Sequence, residues 1–326
     1  MKTLGICIPT YRRAELLRRC VLSAVASAGT RPIEIFIADD SMSDVNIEVL
    51  EELARSFSCV HWHRNDHNLG IDANIQRVVG LCGCDYAWLI GEDDVFLPGA
   101  VARMHDLVQT LDTPFVFANY CYSGDASDRV LGTAVDGLGS TVPTADFVVE
   151  HLWAIGFIGA CVIRKLDWAA TDATPYLGTY YTHVGRIVEM LVGIEAVRVV
   201  SEPSVANRVE GHETFTWKKD SYGVFLGFVE MCTRVGIRVP AIASIMELAS
   251  QRFERKFRCL SLRLAIRLRS EHALDYAQFV KYLRHGRISI FKRLMFLFIS
   301  VAPPRLFQPL VRLYRISRGR ALKQAA

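Results

Sequence analysis

The chain has 326 residues, 51% of them hydrophobic and 22% charged, with a formal net charge of +4. Those proportions exclude a disordered chain, and a chain this long buries most of its apolar surface without disulfide or metal staples. One large α/β domain with additions, or two smaller domains, is the expectation. Nine cysteines, at 7, 20, 59, 82, 84, 121, 161, 232 and 259, show no Cys-x-x-Cys and no Cys/His ligand spacing. They predict a reduced, cytoplasmic compartment. The apolar stretch before Pro9 and Arg12 is too short for a secretory signal. The longest late apolar run, Leu294 to Ala302, falls well short of the roughly 20 residues that cross a bilayer, so no span is expected.

In chain order, Leu4 to Pro9 reads as a buried strand and Glu15 to Ala28 as a helix with Leu16, Leu17, Cys20, Val21, Ala24 and Val25 on one face. Ile33 to Ala38 is a second strand ending in Asp39-Asp40-Ser41, followed by a helix over Val45 to Phe57 and a strand over Val60 to His63. Gly70 to Leu81 reads as a helix, and Tyr86 to Ile90 as a strand ending in Gly91-Glu92-Asp93-Asp94. A helix from Leu97-Pro98 to about Leu111 precedes a strand at Phe115 to Tyr120. Residues 123 to 145 read as a loop, then come a helix near Ala145 to Trp153, a strand near Ile158 to Arg164, a helix over Thr179 to Leu191 and a strand over Glu195 to Val200. Ser201 to Ser221 is polar and irregular; from Tyr222 onward the pattern is helical, broken at Pro240, Ser270, Gly286 and Pro303-Pro304. Alternating strands and helices predict a doubly wound, mostly parallel α/β sheet with a C-terminal helical extension. Such sheets bind ligands beyond the carboxyl ends of their strands. Here those ends carry Pro9-Thr10-Tyr11, Asp39-Asp40 and Glu92-Asp93-Asp94.

Three consecutive carboxylates repel one another unless a cation or hydrogen-bond donors share the site, and Mg²⁺ or Mn²⁺ with substrate phosphates is the natural partner. The bland reading of Glu92-Asp93-Asp94 is a solvated turn. Asp39-Asp40 suits hydrogen bonds to a nucleobase or ribose, or equally a capping turn. Thr10-Tyr11 suits a base, with Arg12 or Arg13 near phosphate, or an ordinary helix cap. There is no P-loop and no G-x-G-x-x-G after the first strand, which argues against an ATPase or a dinucleotide oxidoreductase.

Charge is divided unevenly. Residues 251–326 carry +15 and residues 1–250 carry −11. In the basic tail, Arg252, Arg255, Lys256, Arg258, Arg263, Arg267 and Arg269 alternate with Phe, Leu and Ile; Ile288 to Ile299 and Leu306 to Ile316 are amphipathic. The apolar content favours an anionic membrane surface over nucleic acid, each basic residue contributing about 1 kcal/mol near such a surface. The competing reading is a helical bundle that covers the sheet.

Ile8-Pro9-Thr10-Tyr11-Arg12-Arg13, Ile37-Ala38-Asp39-Asp40-Ser41, Asn68-Leu69-Gly70-Ile71-Asp72-Ala73-Asn74 and Glu92-Asp93-Asp94, in that order, resemble the family 2 glycosyltransferases over about residues 3 to 120. The second half is similar to bacterial transferases that build O-antigen or capsule repeats, including abequosyltransferase-like members. The resemblance implies a GT-A fold, with residues 1–120 as the nucleotide-sugar half, 121–220 as the acceptor half and 221–326 as a basic, membrane-associating tail. It implies inverting transfer from a nucleoside diphosphate sugar to an acceptor hydroxyl, and the basic, apolar tail makes a polyprenyl-diphosphate-linked saccharide at the inner face of a bacterial membrane the expected acceptor.

By the same resemblance, Pro9, Thr10, Tyr11 and Asp40, with Asp39 beside them, surround base and ribose, Arg13 stands near phosphate, and Asn74 approaches the donor. Glu92-Asp93-Asp94 takes the place of the family's D-x-D motif, with Asp94 as metal ligand, Glu92 as a second ligand and Asp93 on ribose or sugar. The family's base is an Asp opening a helix of the acceptor half. Here that place falls to His183, with Thr182 before it, and Glu189 competes from deeper in the helix. Asn207-Arg208 and His212 suit a loop over the diphosphate. Trp153, Phe157, Gly156 and Gly159 shape an acceptor pocket or belong to the core. A sugar nucleotidyltransferase, which needs a glycine-rich basic loop after the first strand, and a catalytically silent sugar-nucleotide binder are the rival readings.

Overall fold

The computed structural model describes residues 1–123, 130–208, 221–258, 261–272, 274, 276–277, 280 and 290–311. Strands β1 (Leu4–Thr10), β2 (Glu34–Asp39), β3 (Val60–Arg64) and β4 (Tyr86–Leu89) pair in parallel in the order β3-β2-β1-β4. β1 is buried along its whole length, as a strand covered on both faces must be, and its LGICIPT reads as a continuous apolar run. Helices α1 (Ala14–Ala28), α2 (Ile47–Ser56) and α3 (Ile71–Leu81) connect them. Leu17, Cys20, Val21, Ala24 and Ala28 of α1 are buried at helical spacing, and Gly29 ends the helix at φ +58°.

After β4 the sheet becomes mixed. β5 (Val95–Phe96) and α4 (Ala100–Thr110) lead to β6 (Phe115–Ser123). β9 (Cys161–Arg164) then inserts antiparallel between β4 and β6, and β10 (Ala196–Arg208) runs parallel to β6. The segment expected to be a loop at 123–145 contains two short strands, β7 (Val130–Thr133) against β6 and β8 (Thr141–Pro143) against β10; residues 124–129 lie outside the described residues. The helix expected near Ala145 to Trp153 is a run of short turns: α5 (Thr144–Asp146), a π-helical turn (Phe147–His151) and a 3₁₀ turn (Leu152–Gly156). α6 (Lys165–Ala169) and α7 (Thr182–Met190) follow β9.

One expectation needs correcting. Residues 201–208 are not irregular, because β10 continues through them to Arg208 after a register shift between Val200 and Val205. The shift falls at Ser-Glu-Pro-Ser, whose composition reads as a loop, while Val205 and Ala206 beyond it are buried again. β5 pairs with β10 at Val205 and Ala206, and this lays the end of β10 beside the turn after β4.

Of the C-terminal helices, α8 (Ser221–Arg238) and α9 (Ala243–Phe257) join the main core through Phe228, Val235, Met246 and Phe253. α10 (Leu262–Ser270) and α11 (Ile290–Val301) build a smaller cluster with Tyr222 and Leu226 of α8. Among the described residues no single helix is long and apolar enough to cross a membrane; Ile290–Val301 and Pro304–Val311 form a pair bent by 112°.

Candidate active site

The parallel register sets Thr10 opposite Asp39, and the Asp40 amide donates to the Thr10 carbonyl at 2.9 Å. The Ile90 amide donates to the Cys7 carbonyl, so β4 ends next to the same point. The three strand ends therefore open into one cavity of about 760 Å³. Pro9, Thr10, Tyr11, Arg13, Asp40, Asn74, Glu92, Asp93, Asp94, His183 and Arg208 all line it. Asp39 and Glu189 do not, and His212 lies outside the described residues.

Asp40 is held rigidly. Its Oδ1 accepts from the Leu69 amide at 2.8 Å and from Asn65 Nδ2 at 2.9 Å, and its Oδ2 from the Gly70 amide at 2.9 Å. Asn65 also donates to Asn74 Oδ1, and Asn74 Nδ2 donates to the Ala38 carbonyl. The Asn68-Leu69-Gly70 segment is thereby tied to the end of β2, and Gly70 turns into α3 at φ +75°. Asn65 is the member of this network that sequence reasoning missed; its signal is an Asn directly after a strand, three residues before Asn-Leu-Gly. Asp39 is fully buried and accepts from the Ser41 amide and Asn46 Nδ2, while its Oδ2 has no partner among the described residues.

The Glu92-Asp93-Asp94 turn sets three carboxylates beside the Arg13 guanidinium. Arg13 Nη1 lies 2.8 Å from Asp93 and 3.2 Å from Glu92. Burial, then the charge of Asp93, pushes Glu92 up to about 8 despite Arg13. Burial and Asp93 likewise raise Asp94 well above the carboxylate range, opposed by the hydrogen bond from the Arg208 amide at 3.1 Å. Gly91 allows the turn: a Cβ there would stand 2.9 Å from Asp94 Oδ2 and 3.0 Å from Asp93 Oδ1.

Among the described residues no three His, Cys, Asp or Glu side chains form a metal-holding group. A Mg²⁺-type ion bound by one or two carboxylates plus phosphate oxygens does not need one, and the excess of buried carboxylate over cation suits such an ion at Asp94, with Glu92 as second ligand.

Facing these strand ends is an apolar and aromatic wall of Gly156, Phe157, Ile158, Tyr180, Tyr181 and Val224. A Cβ on Gly156 would meet the Tyr181 ring at 2.9 Å; Gly156 and Phe157 line the cavity, and Phe157 also packs against the core. Trp153 is elsewhere, under Lys256 with its ring 3.8 Å from Nζ.

His183, in the first turn of α7, is buried. Its Nε2 lies 2.9 Å from the Ile155 carbonyl, which can only accept, so Nε2 carries the proton and Nδ1 presents a lone pair. Nδ1 has no partner among the described residues. Burial lowers the imidazole to about 4, offset in part by Asp72. Glu189 instead binds Tyr176 and Arg238 away from the cavity. Asn207 and Arg208, expected on a closing loop, sit on the last rung of β10, fixed beside Tyr122 and Ser123.

Residues 5–137 match glycosyl transferase family 2. The chain is also 31% identical over 201 residues to abequosyltransferase RfbV of Salmonella typhimurium. That match covers 56% of this chain and spans 59% of the relative's length. TarS residues 1–349 from S. aureus, in complex with UDP, superposes with a TM-score of 0.54 at 10% identity, over 97% of this chain and 92% of that one. The mannosyltransferase PcManGT from Pyrobaculum calidifontis, with GDP-Man and Mn²⁺, gives 0.54 at 12% identity, over 99% and 84%. At these identities the likeness is one of fold, and the fold is GT-A.

Proposed function

We propose that the chain transfers a sugar from a nucleoside diphosphate sugar to a hydroxyl of a saccharide acceptor, with inversion at the anomeric carbon. One observation carries this reading: four separated segments, ending β1, β2 and β4 and opening α3, meet in a single cavity whose opposite wall is aromatic. Tyr11, Asp40 and Asn74 receive base and ribose, Asp93 the ribose or sugar, and Arg13 and Arg208 stand by the diphosphate. Asp94, with Glu92, would hold a divalent ion, which would supply charge neutralisation on the leaving diphosphate, an effect worth several kcal/mol. The acceptor sits against Phe157, Tyr180 and Tyr181, with His183 beside them as the base for the hydroxyl proton.

The acceptor in this reading is a polyprenyl-diphosphate-linked saccharide, as in bacterial surface polysaccharide assembly, and the enzyme works at the cytoplasmic face of the membrane. Ile290, Phe291, Leu294, Phe298 and Val301 of α11 are 54–79% exposed on a tail of strongly positive charge, which suits an anionic bilayer. Flotation of the full chain with liposomes containing anionic lipid at low salt, and its loss in F291E/F298E, tests that contact. Failure of the wild-type chain to float contradicts it.

A second reading, a catalytically silent sugar-nucleotide binder, is favoured by one feature: an imidazole lowered to about 4 is a weak base. The two part on turnover. UDP-, GDP-, CDP- and dTDP-linked sugars are incubated with Mn²⁺ and a bacterial lipid extract, and the free nucleoside diphosphate and the anomeric configuration of the product are measured. A transferase yields equimolar diphosphate and an inverted glycoside; a silent binder binds one donor and releases nothing.

A further inference from the structure

We propose that Asp72 is a positioning residue that couples the nucleotide side of the cavity to its acceptor wall; this rests on the functional reading above. Asp72 lies in the first turn of α3 and is buried, yet its carboxylate points away from its own helix. Oδ2 accepts from the amides of Gly178 at 2.8 Å and Tyr180 at 3.0 Å, and Oδ1 from the amide of Thr182 at 3.3 Å. Three alternate amides of one short segment thus converge on one carboxylate supplied from more than 100 residues earlier in the chain.

Helix α7 begins at Thr182, and its own N-cap residue, Tyr181, provides no side-chain cap. The first amides of a helix need an acceptor, usually a local Ser, Thr, Asp or Asn. Here α3 provides it, and its negative charge also complements the helix N-terminus. The segment needs the help. Gly178 has φ +79° and Tyr180 φ +67°, the latter a conformation that disfavours any side chain bearing a Cβ. Tyr180, Tyr181 and His183, which this segment carries, form the acceptor wall.

The same turn of α3 is tied on its other side to the nucleotide site. Asp40 binds the Leu69 and Gly70 amides just before the helix, and Ile71, Asn74 and Ile75 line the cavity there. A ligand that settles on Asp40 and Asn74 fixes the first turn of α3, and through Asp72 it fixes Tyr180 to His183. Donor binding on this account slows the opening of the 178–182 segment.

Amide hydrogen exchange tests this without needing the acceptor. The probe is whichever of UDP, GDP, CDP or dTDP binds the wild-type chain with Mn²⁺. Bound nucleotide slows exchange across residues 178–182 by about tenfold in the wild type, within the usual range of coupling between sites. In Asp72→Asn, nucleotide affinity is kept while the slowing is lost. Asp72→Ser, whose single short acceptor cannot span three amides, gives the same result should the Asn variant fold poorly. Thr179→Ala removes another bond in the same turn, the Tyr181 amide to Thr179 Oγ1. It raises basal exchange but retains the slowing, which separates coupling from simple support of the turn. Slowing that persists in both Asp72 variants, or a wild type that binds nucleotide without slowing, overturns the proposal. A wild type that binds no nucleotide overturns the functional reading itself, and the coupling with it.

Discussion

The amide of Arg208, last residue of β10, donates to Asp94 Oδ1 at 3.1 Å across 114 positions of sequence. The end of the second half of the sheet is thus bonded directly to the carboxylate turn of the first. β5 makes this possible, since it follows the turn at once and pairs with Val205 and Ala206.

Asp40→Ala removes the acceptor of the part-buried Leu69 amide, while the Gly70 amide keeps Asn68 Oδ1 and Asn65 Nδ2 keeps Asn74 Oδ1. One donor left unpaired costs about 1–3 kcal/mol, and that is the loss expected. Urea unfolding measures it, and nucleotide binding is lost as well. A variant as stable as wild type would contradict the rigid role of Asp40.

Gly91→Ala separates stability from site geometry. The added Cβ meets only the ends of the Asp94 and Asp93 side chains, which can swing aside. Stability is expected to change by less than about 1 kcal/mol. The carboxylates are displaced, and nucleotide affinity in Mn²⁺ falls by about tenfold or more, as loss of about 1.4 kcal/mol gives.

Gly227→Ala behaves in the opposite manner. A Cβ there would stand 1.8 Å from the Thr179 carbonyl oxygen, which is backbone and cannot turn away. α8 must shift off the 176–182 segment, at a cost of about 1–3 kcal/mol or more. Thermal unfolding at a lower midpoint checks this, and an unshifted midpoint would show that α8 does not pack there.

His183 gives a pH dependence of stability with a defined sign. Its folded value is lowered to about 4 from an ordinary 6.5, so the unfolded chain binds the proton more readily. Stability is therefore full above about 6.5 and falls as pH drops toward 4, by roughly 3 kcal/mol from this group. Below 4 its contribution changes no further. Glu92 and Asp94, raised in the fold, lose stability as pH rises and oppose this slope, so the His183 part is the difference in urea unfolding between wild type and His183→Gln over pH 4 to 7.

Much of the nucleotide side was legible in the sequence. Pro9 to Tyr11, Asp40 and Glu92 to Asp94 follow apolar strands, and parallel strands beside one another bring such ends together whatever the intervening helices do. The second half was less legible because its neighbours are non-local. Antiparallel β9 enters between β4 and β6, and β10 resumes after a bulge whose Ser-Glu-Pro-Ser looks like a loop. Arg208, expected on a loop, ends that strand instead. Asn65 and Asp72 went unrecognised because Asn65 acts through side-chain bonds to Asp40 and Asn74, and Asp72 through bonds to distant backbone amides, neither of which leaves a period or spacing in the chain.

The most direct test of the metal–nucleotide site is calorimetric titration with UDP, GDP, CDP and dTDP, in Mn²⁺ and in EDTA, on wild type and Asp94→Ala. One nucleotide should bind the wild type tightly in Mn²⁺ and weakly in EDTA, and Asp94→Ala should bind it weakly in both. Binding by the wild type that is indifferent to EDTA and to Asp94→Ala would contradict a cation at this turn. No binding of any nucleotide under either condition would contradict the transferase reading as a whole.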